Sequence, residues 1–327
     1  MERKELHMGQ AIPATSSVEP KKKKSKINFK RTWPLFVMVA PGLLYLLINN
    51  YIPMFGIFIA FKDINFAKGI FQSDWVGFKN FEFLFTTSDA YIITRNTILY
   101  NLVFLVLGTV LALLCAILLN EIKSKFAMKF YQAVIAMPNL ISWVIISYLV
   151  FAFLGAETGY VNNTIFPWLG VDDWIMWYME PKYWPYILTT VHFWKSVGFS
   201  SIVYFASIVG IDHSYYEAAR LDGATRWQQI TKITIPIMMP VIIMLTLLGV
   251  GRMFYSDFGL FYQATNNSGA LFNTTATIDT YVFNGLLGLG DIGMSTAAGV
   301  YQSIVGFILV ILFNYLVRIC DRDQALF

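Results

Sequence analysis

The sequence predicts an all-α polytopic membrane protein with six transmembrane helices, and three observations carry that expectation. Of 327 residues, 57% are hydrophobic and only 13% are charged, whereas a soluble domain carries about 25% charged residues. The apolar residues come in runs of about 18 or more, long enough to cross a bilayer as helices. Basic residues alternate across those runs. Segments 1–32, 121–130, 212–234 and 318–327 hold 17 Lys and Arg, whereas segments 62–96, 156–185 and 257–292 hold 5. The positive-inside bias therefore places both termini and the 212–234 segment in the cytosol.

Residues 1–32 form a basic arm containing Lys21, Lys22, Lys23, Lys24, Lys26, Lys30 and Arg31. Such a run orients the first span and attracts anionic lipid headgroups; nucleic acid is not its partner. The first span, 33–61, is too long for a cleaved signal peptide, as is the arm before it. Spans at 97–120, 131–155, 186–211, 236–256 and 293–318 complete one membrane domain over 33–318, and 319–327 is a cytosolic tail. Cys115 falls in a span and Cys320 in the tail, so no disulfide joins them. His7, His192 and His213 show no metal-ligand spacing. The N-x-S/T matches at Asn162, Asn266 and Asn273 are of the kind that arise by chance, and no function is assigned to them.

No GxxxxGK[ST] phosphate loop, GxGxxG turn, GxSxG elbow or HExxH pair occurs. An enzyme reading has no site, and no bound cofactor is expected on this chain. If ATP energises transport, another polypeptide must supply the hydrolysis.

The segment 212–236 is a polar interruption with helix punctuation. Ser214-Tyr215-Tyr216-Glu217 fits a capping box, and Ala218, Ala219, Arg220 and Leu221 extend a helix. Gly223 suits the left-handed position that closes it. Thr225-Arg226-Trp227-Gln228 is a second capping box, starting a helix that can run until Pro236. Ala218 and Ala219 leave room for close approach, and Tyr215, Tyr216, Leu221 and Trp227 offer more apolar surface than a solvated loop needs. Local physics leaves two readings: a docking face for a partner protein, or a self-contained helical hairpin in which Glu217 merely caps.

Two cations fall inside spans, Lys195 in the fourth and Arg252 in the fifth, and none of the six spans contains Asp or Glu. Intramembrane charges are costly and mark functional sites by default. Each has three options: facing a cavity, pairing with a second subunit, or snorkelling; for Arg252 a link to Asp257 is a further one. Asn101 in the second span, with Tyr255, Phe258 and Tyr262 after the fifth, are candidates for lining a substrate pathway. Aromatic faces pack against sugar rings and polar edges meet hydroxyls, although aromatics also concentrate at membrane interfaces. Two cations without acidic partners would suit an acidic oligosaccharide, such as a uronate-containing fragment.

The 217–236 stretch resembles the EAA loop of permease subunits from binding-protein-dependent ABC importers: EAA, three residues, Gly, nine residues, Ile-x-Leu-Pro. Glu217, Ala218, Ala219, Gly223, Ile233 and Pro236 match, with the frequent Asp222 and Ala224; Ile235 replaces the usual leucine. Trp75–Phe81, Arg95-Asn96-Thr97, Trp194–Phe199, Thr296–Gly299 and Asn314-Tyr315 look like the maltose-type sugar-importer branch. Within it the chain is most similar to the LplB-like permeases of polysaccharide or complex-oligosaccharide uptake. The resemblance implies a type I ABC importer transmembrane domain whose EAA loop is a coupling helix docking on an ATPase subunit. It also implies a second, distinct six-span permease, two cytosolic ATPases that bind ATP and magnesium, and an extracellular sugar-binding lipoprotein. The bacterial plasma membrane is the implied location. The alternatives are the same architecture carrying a non-sugar solute, or a membrane enzyme or ion-coupled carrier. A carrier calls for intramembrane carboxylates or an internal repeat, neither of which is seen.

Overall fold

The computed structural model describes residues 29–320; most of the basic arm and residues 321–327 of the tail lie outside the described residues. The chain divides into two units, Met1–Phe55 and Gly56–Phe327. In the first, helix α1 (Phe29–Leu46) begins ahead of the predicted span, passes Pro34 and Pro41, and continues through a widened turn at Leu47–Tyr51 to Met54. Asn49 satisfies its amide inside this apolar stretch by donating to the Tyr45 carbonyl at 3.0 Å. The run Trp33–Phe61 is long and apolar enough to cross a membrane.

The second unit is built from α2 (Ser88–Asn120), α3 (Lys125–Leu140), α4 (Trp143–Leu154), α5 (Trp184–Val209), α6 (His213–Leu221), α7 (Arg226–Val250), α8 (Ile278–Leu289) and α9 (Ile292–Cys320). α2, α7 and α9 each have the length and hydropathy of a span. α2 starts earlier than expected because the Thr87 hydroxyl caps it, accepting from the Ala90 N–H at 3.2 Å.

Two expectations are corrected. The third span is not one helix over 131–155: α3 and α4 meet at 93°. Pro138 removes a backbone donor just before the break, Ile141 is extended (ψ 133°), and the Ser142 hydroxyl starts α4 by accepting from Ile145 N–H at 3.4 Å. Pro236 does not stop the helix that begins at Arg226. A widened turn at Ile230–Thr234 precedes it, and α7 runs on to Val250. Such a turn takes up the donor a proline lacks and the space its ring needs. The helix that carries the fifth span therefore starts at 226 rather than 236. The fourth span is a continuous helix to Val209, beyond which α6 turns 70° away from it.

Small residues bring the helices together, as expected where lipid removes the hydrophobic drive between them. Ala112 and Ala116 on α2 are fully buried in a cluster with Tyr204 and Ile208 of α5. On α5, a Cβ at Gly198 would stand 1.7 Å from the Ile135 carbonyl oxygen of α3, so only glycine permits that crossing.

At the opposite end, two of the motifs behind the resemblance act as locks. The Asn96 side chain donates to the Asn273 and Ala276 carbonyls at 3.2 and 2.9 Å, and the Thr97 hydroxyl accepts from Ile278 N–H at 3.0 Å. Strand β1 (Lys62–Asp63) pairs antiparallel with β2 (Asp74–Trp75), and Asn80 donates to the Ala60 and Lys62 carbonyls at 3.0 and 2.8 Å. Lys62 is buried and satisfied by the Ile70 and Phe71 carbonyls at 3.2 and 2.7 Å.

Candidate functional site

The 212–236 loop is a rigid hairpin. Its first helix is capped by Asp212 rather than by the Ser214–Glu217 box: a carboxylate oxygen of Asp212 accepts from Ser214 N–H at 2.9 Å. That hydrogen bond holds the Asp212 carboxyl below the usual carboxylate range. The helix closes with the bonds of a Schellman turn, Gly223 N–H to the Arg220 carbonyl (3.1 Å) and Ala224 N–H to Ala219 (2.8 Å), with Gly223 at φ +77°. The Thr225–Gln228 box forms as expected: Gln228 N–H donates to the Thr225 hydroxyl at 3.3 Å, and Thr225 N–H donates to Gln228 Oε1 at 2.8 Å. Behind the hairpin, the Tyr216 and Thr234 hydroxyls share a 2.9 Å hydrogen bond that ties α6 to α7.

This arrangement leaves a face outward. Glu217, Ala218, Asp222 and Pro236 are exposed, and Ala219, Ala224 and Ile233 are half-buried. Relieved of capping by Asp212, the Glu217 carboxylate makes no hydrogen bond or ion pair among the described residues. Beside it, Leu221 is 89% and Trp227 72% exposed. A self-contained hairpin would bury those two side chains. Here the hairpin makes its own caps and closing turn while its apolar surface stays exposed, which is the physical profile of a docking element.

The intramembrane candidates do not converge on one point. A cavity of about 630 Å³ is lined by Asn101, Arg252 and Tyr255, together with Phe104, His192, Ser256 and Asp257. Phe104 and His192 stack face to face with ring centroids 3.7 Å apart and 6° between planes, giving the cavity a flat aromatic wall. Sequence reasoning missed both; each sits in an apolar run, and only the α2–α5 packing pairs them. Asn101 spends its amide on the Met253 and Tyr255 carbonyls, both at 3.0 Å, so it also shapes the end of α7. The Tyr255 hydroxyl bonds Ser303 at 2.8 Å. No ion pair joins Arg252 to Asp257 among the described residues, although both line the cavity.

Lys195 and Phe258 are not part of that lining. The Lys195 ammonium donates to the carbonyls of Pro138 (3.4 Å), Asn139 (3.1 Å) and Ile141, and sits 5.0 Å from the Trp143 ring centre. It caps the carbonyl end of α3 at the 93° break, where a cation also complements the helix dipole. Phe258 stacks with Tyr262 at 4.8 Å and meets Phe283 edge-on at 4.7 Å.

A multi-span helical chain that offers a stiff, unpartnered loop at one end and a polar-walled cavity in its span region is a membrane permease subunit. Residues 108–322 match the family described as the binding-protein-dependent transport system inner membrane component, and the chain belongs to that family of ABC importer permeases. It is 36% identical over 313 residues to the polygalacturonan/rhamnogalacturonan transport system permease protein YteP of Bacillus subtilis, covering 94% of this chain and 95% of the relative. To protein LplB of the same organism it is 33% identical, covering 90% and 91%. Its fold matches a chain in the crystal structure of a bacterial ABC transporter involved in import of the acidic polysaccharide alginate. That match has TM-score 0.80, 33% identity, and coverage of 89% of this chain and 96% of the other. A second structure shows the alginate transporter in complex with a periplasmic protein bound to an alginate pentasaccharide, with TM-score 0.79.

Proposed function

We propose that this permease forms half of the membrane pathway for an acidic oligosaccharide, with its 212–236 hairpin facing the cytosol as the seat of an ATPase subunit. The observation that carries the reading is the exposed face around Glu217, held by a hairpin whose caps and closing turn come from its own residues. A second, related permease completes the pathway, and a second ATPase docks on that chain's loop. ATP and magnesium bind on the ATPases, and an extracellular binding protein delivers the sugar. As the ATPases close, the two loops are drawn together. The Tyr216–Thr234 bond and the continuous α7 carry that movement into the span region.

The chemistry of the cavity supports a sugar acid. The Phe104–His192 wall offers a flat face to a pyranose ring, the Ser256 Oγ and Asn101 Oδ1 oxygens can accept from sugar hydroxyls, and the Arg252 guanidinium suits a carboxylate. A relative named for polygalacturonan/rhamnogalacturonan transport and a structural neighbour involved in alginate import point the same way. The test is uptake into proteoliposomes of the whole importer carrying Arg252→Gln. Uptake of a uronate oligomer should fall about tenfold or more while that of a neutral oligomer of the same length changes little, a charged hydrogen bond being worth about 1.5–3 kcal/mol. Equal loss of both would remove the acidic assignment.

A further inference from the structure

A second cavity, about 400 Å³, lies between the end of α2 and the coupling hairpin. Its polar wall is strongly basic: Lys123, Arg220 and Arg226 face it, together with His213, against a single carboxylate, Glu121. Glu121 lies 3.8 Å from Arg226 and leaves the other two cations unpaired among the described residues. The floor is apolar, supplied by Ile117, Ile208 and Ile230.

Gln229 gives this cavity its second signal. The residue is 4% exposed and lines the space, and its amide nitrogen donates to the Ala224 carbonyl at 3.2 Å. Its Oε1 has no partner. Buried polar atoms are rarely left so, because an unmet acceptor bears its full desolvation penalty. The Tyr216 and Thr234 hydroxyls on the same wall already satisfy each other. Oxygen acceptors on a ligand would meet the cations, and a hydroxyl on the same ligand would meet Gln229.

We propose that this cavity binds a glycerophosphate group, its phosphate held by Lys123, Arg220 and Arg226 and a glycerol hydroxyl donating to Gln229 Oε1. A bare phosphate would use the cations but leave the apolar floor empty. Two sources offer the group: the head of phosphatidylglycerol in the cytosolic leaflet, or soluble glycerol phosphate. Only the choice of leaflet rests on the cytosolic placement of the loop. A ligand here would brace the hairpin against α2 and so set how stiffly the coupling helix is held.

The test uses the assembled importer with its partner permease and ATPases. Native mass spectrometry after delipidation reads retention of phosphatidylglycerol against phosphatidylethanolamine. Calorimetry in lipid-free detergent reads binding of glycerol 3-phosphate against inorganic phosphate. Retention of phosphatidylglycerol alone assigns the lipid; glycerol 3-phosphate binding, tighter than inorganic phosphate, assigns the soluble source. In either arm Lys123→Gln and Arg226→Gln should each weaken binding about fivefold, the effect of one basic residue near an anionic headgroup. Gln229→Leu should abolish the preference for glycerophosphate over phosphate, and Lys232→Gln, an exposed charge of the same helix outside the cavity, should change nothing. Failure of wild-type importer to bind either form, or binding by Lys123→Gln and Arg226→Gln undiminished from wild type, overturns the proposal. Because no arm reads transport, that failure stays separate from failure of the pathway assignment.

Discussion

Replacing Gly223 isolates the conformational requirement of the 212–236 loop. Gly223 sits at φ +77°, and a Cβ built there meets nothing within 4 Å. Substitution therefore adds no clash, and its cost is backbone strain alone. A left-handed residue with a side chain costs roughly 1–2 kcal/mol, less for asparagine and more for a β-branched residue. A cost of one or two kcal/mol divides the population in the docking geometry by about 5–30. The order should be glycine, asparagine, alanine, valine, read as retention of the ATPase subunit on the purified importer and as binding-protein-stimulated ATP hydrolysis. Membrane levels of the permease should stay constant across the series, because Gly223 is exposed and lies outside the packed clusters of the spans. Valine performing as well as asparagine would refute the reasoning, as would loss of the protein from the membrane.

Three further outcomes are expected. Gly198→Ala should abolish assembly, since its Cβ would lie 1.7 Å from a backbone carbonyl, whereas Gly299→Ala, with open space around it, should be tolerated; membrane levels and gel filtration read both. Lys195→Met should lower the melting temperature of the purified importer, because it uncaps part-buried carbonyls at the end of α3 at a cost of about 1–3 kcal/mol. For Asp212 the folded-state affinity for a proton is lowered by the Ser214 hydrogen bond. Its stabilising contribution is therefore complete above the unfolded value near 3.8 and is lost as pH falls through the lower folded value. Amide exchange at Ser214 should accordingly be insensitive to pH-dependent opening from pH 8 to 5. Asp212→Ala should expose that amide at any pH, and Asp212→Asn should keep it protected.

The outlines of the fold and of the 212–236 hairpin were legible because both are written in local terms. Apolar run length marked six spans, Gly223 marked a helix end, and Thr225-x-x-Gln228 formed the box its spacing announces. What escaped depends on partners distant in sequence or on a choice between adjacent signals. The break at Ile141 sits inside an unbroken apolar stretch, and the cation that caps it comes from Lys195, more than fifty residues further on. Asp212 and Ser214 are both good caps two residues apart; the chain uses the carboxylate, which frees Glu217. Pro236 reads as a stop, yet the widened turn before it lets the helix continue. The aromatic wall of the larger cavity needs Phe104 and His192 from different helices, and no periodicity in either helix pairs them. Lys195 and Arg252 share the same exceptional status in the sequence, and packing gives them different surroundings.

The most direct measurement places a photo-crosslinker on the loop itself. With Cys115 and Cys320 replaced by serine, a benzophenone on Ala218→Cys, an exposed position beside Glu217, reports what covers that face in the assembled importer. The account predicts a cross-link to the ATPase subunit that Glu217→Lys in the same chain removes, and none from Asp172→Cys in the 156–185 segment. A probe at position 218 that reaches only lipid or this chain, or a Glu217→Lys importer with undiminished cross-linking and uptake, would contradict the loop's role as the point where ATP hydrolysis is coupled to transport.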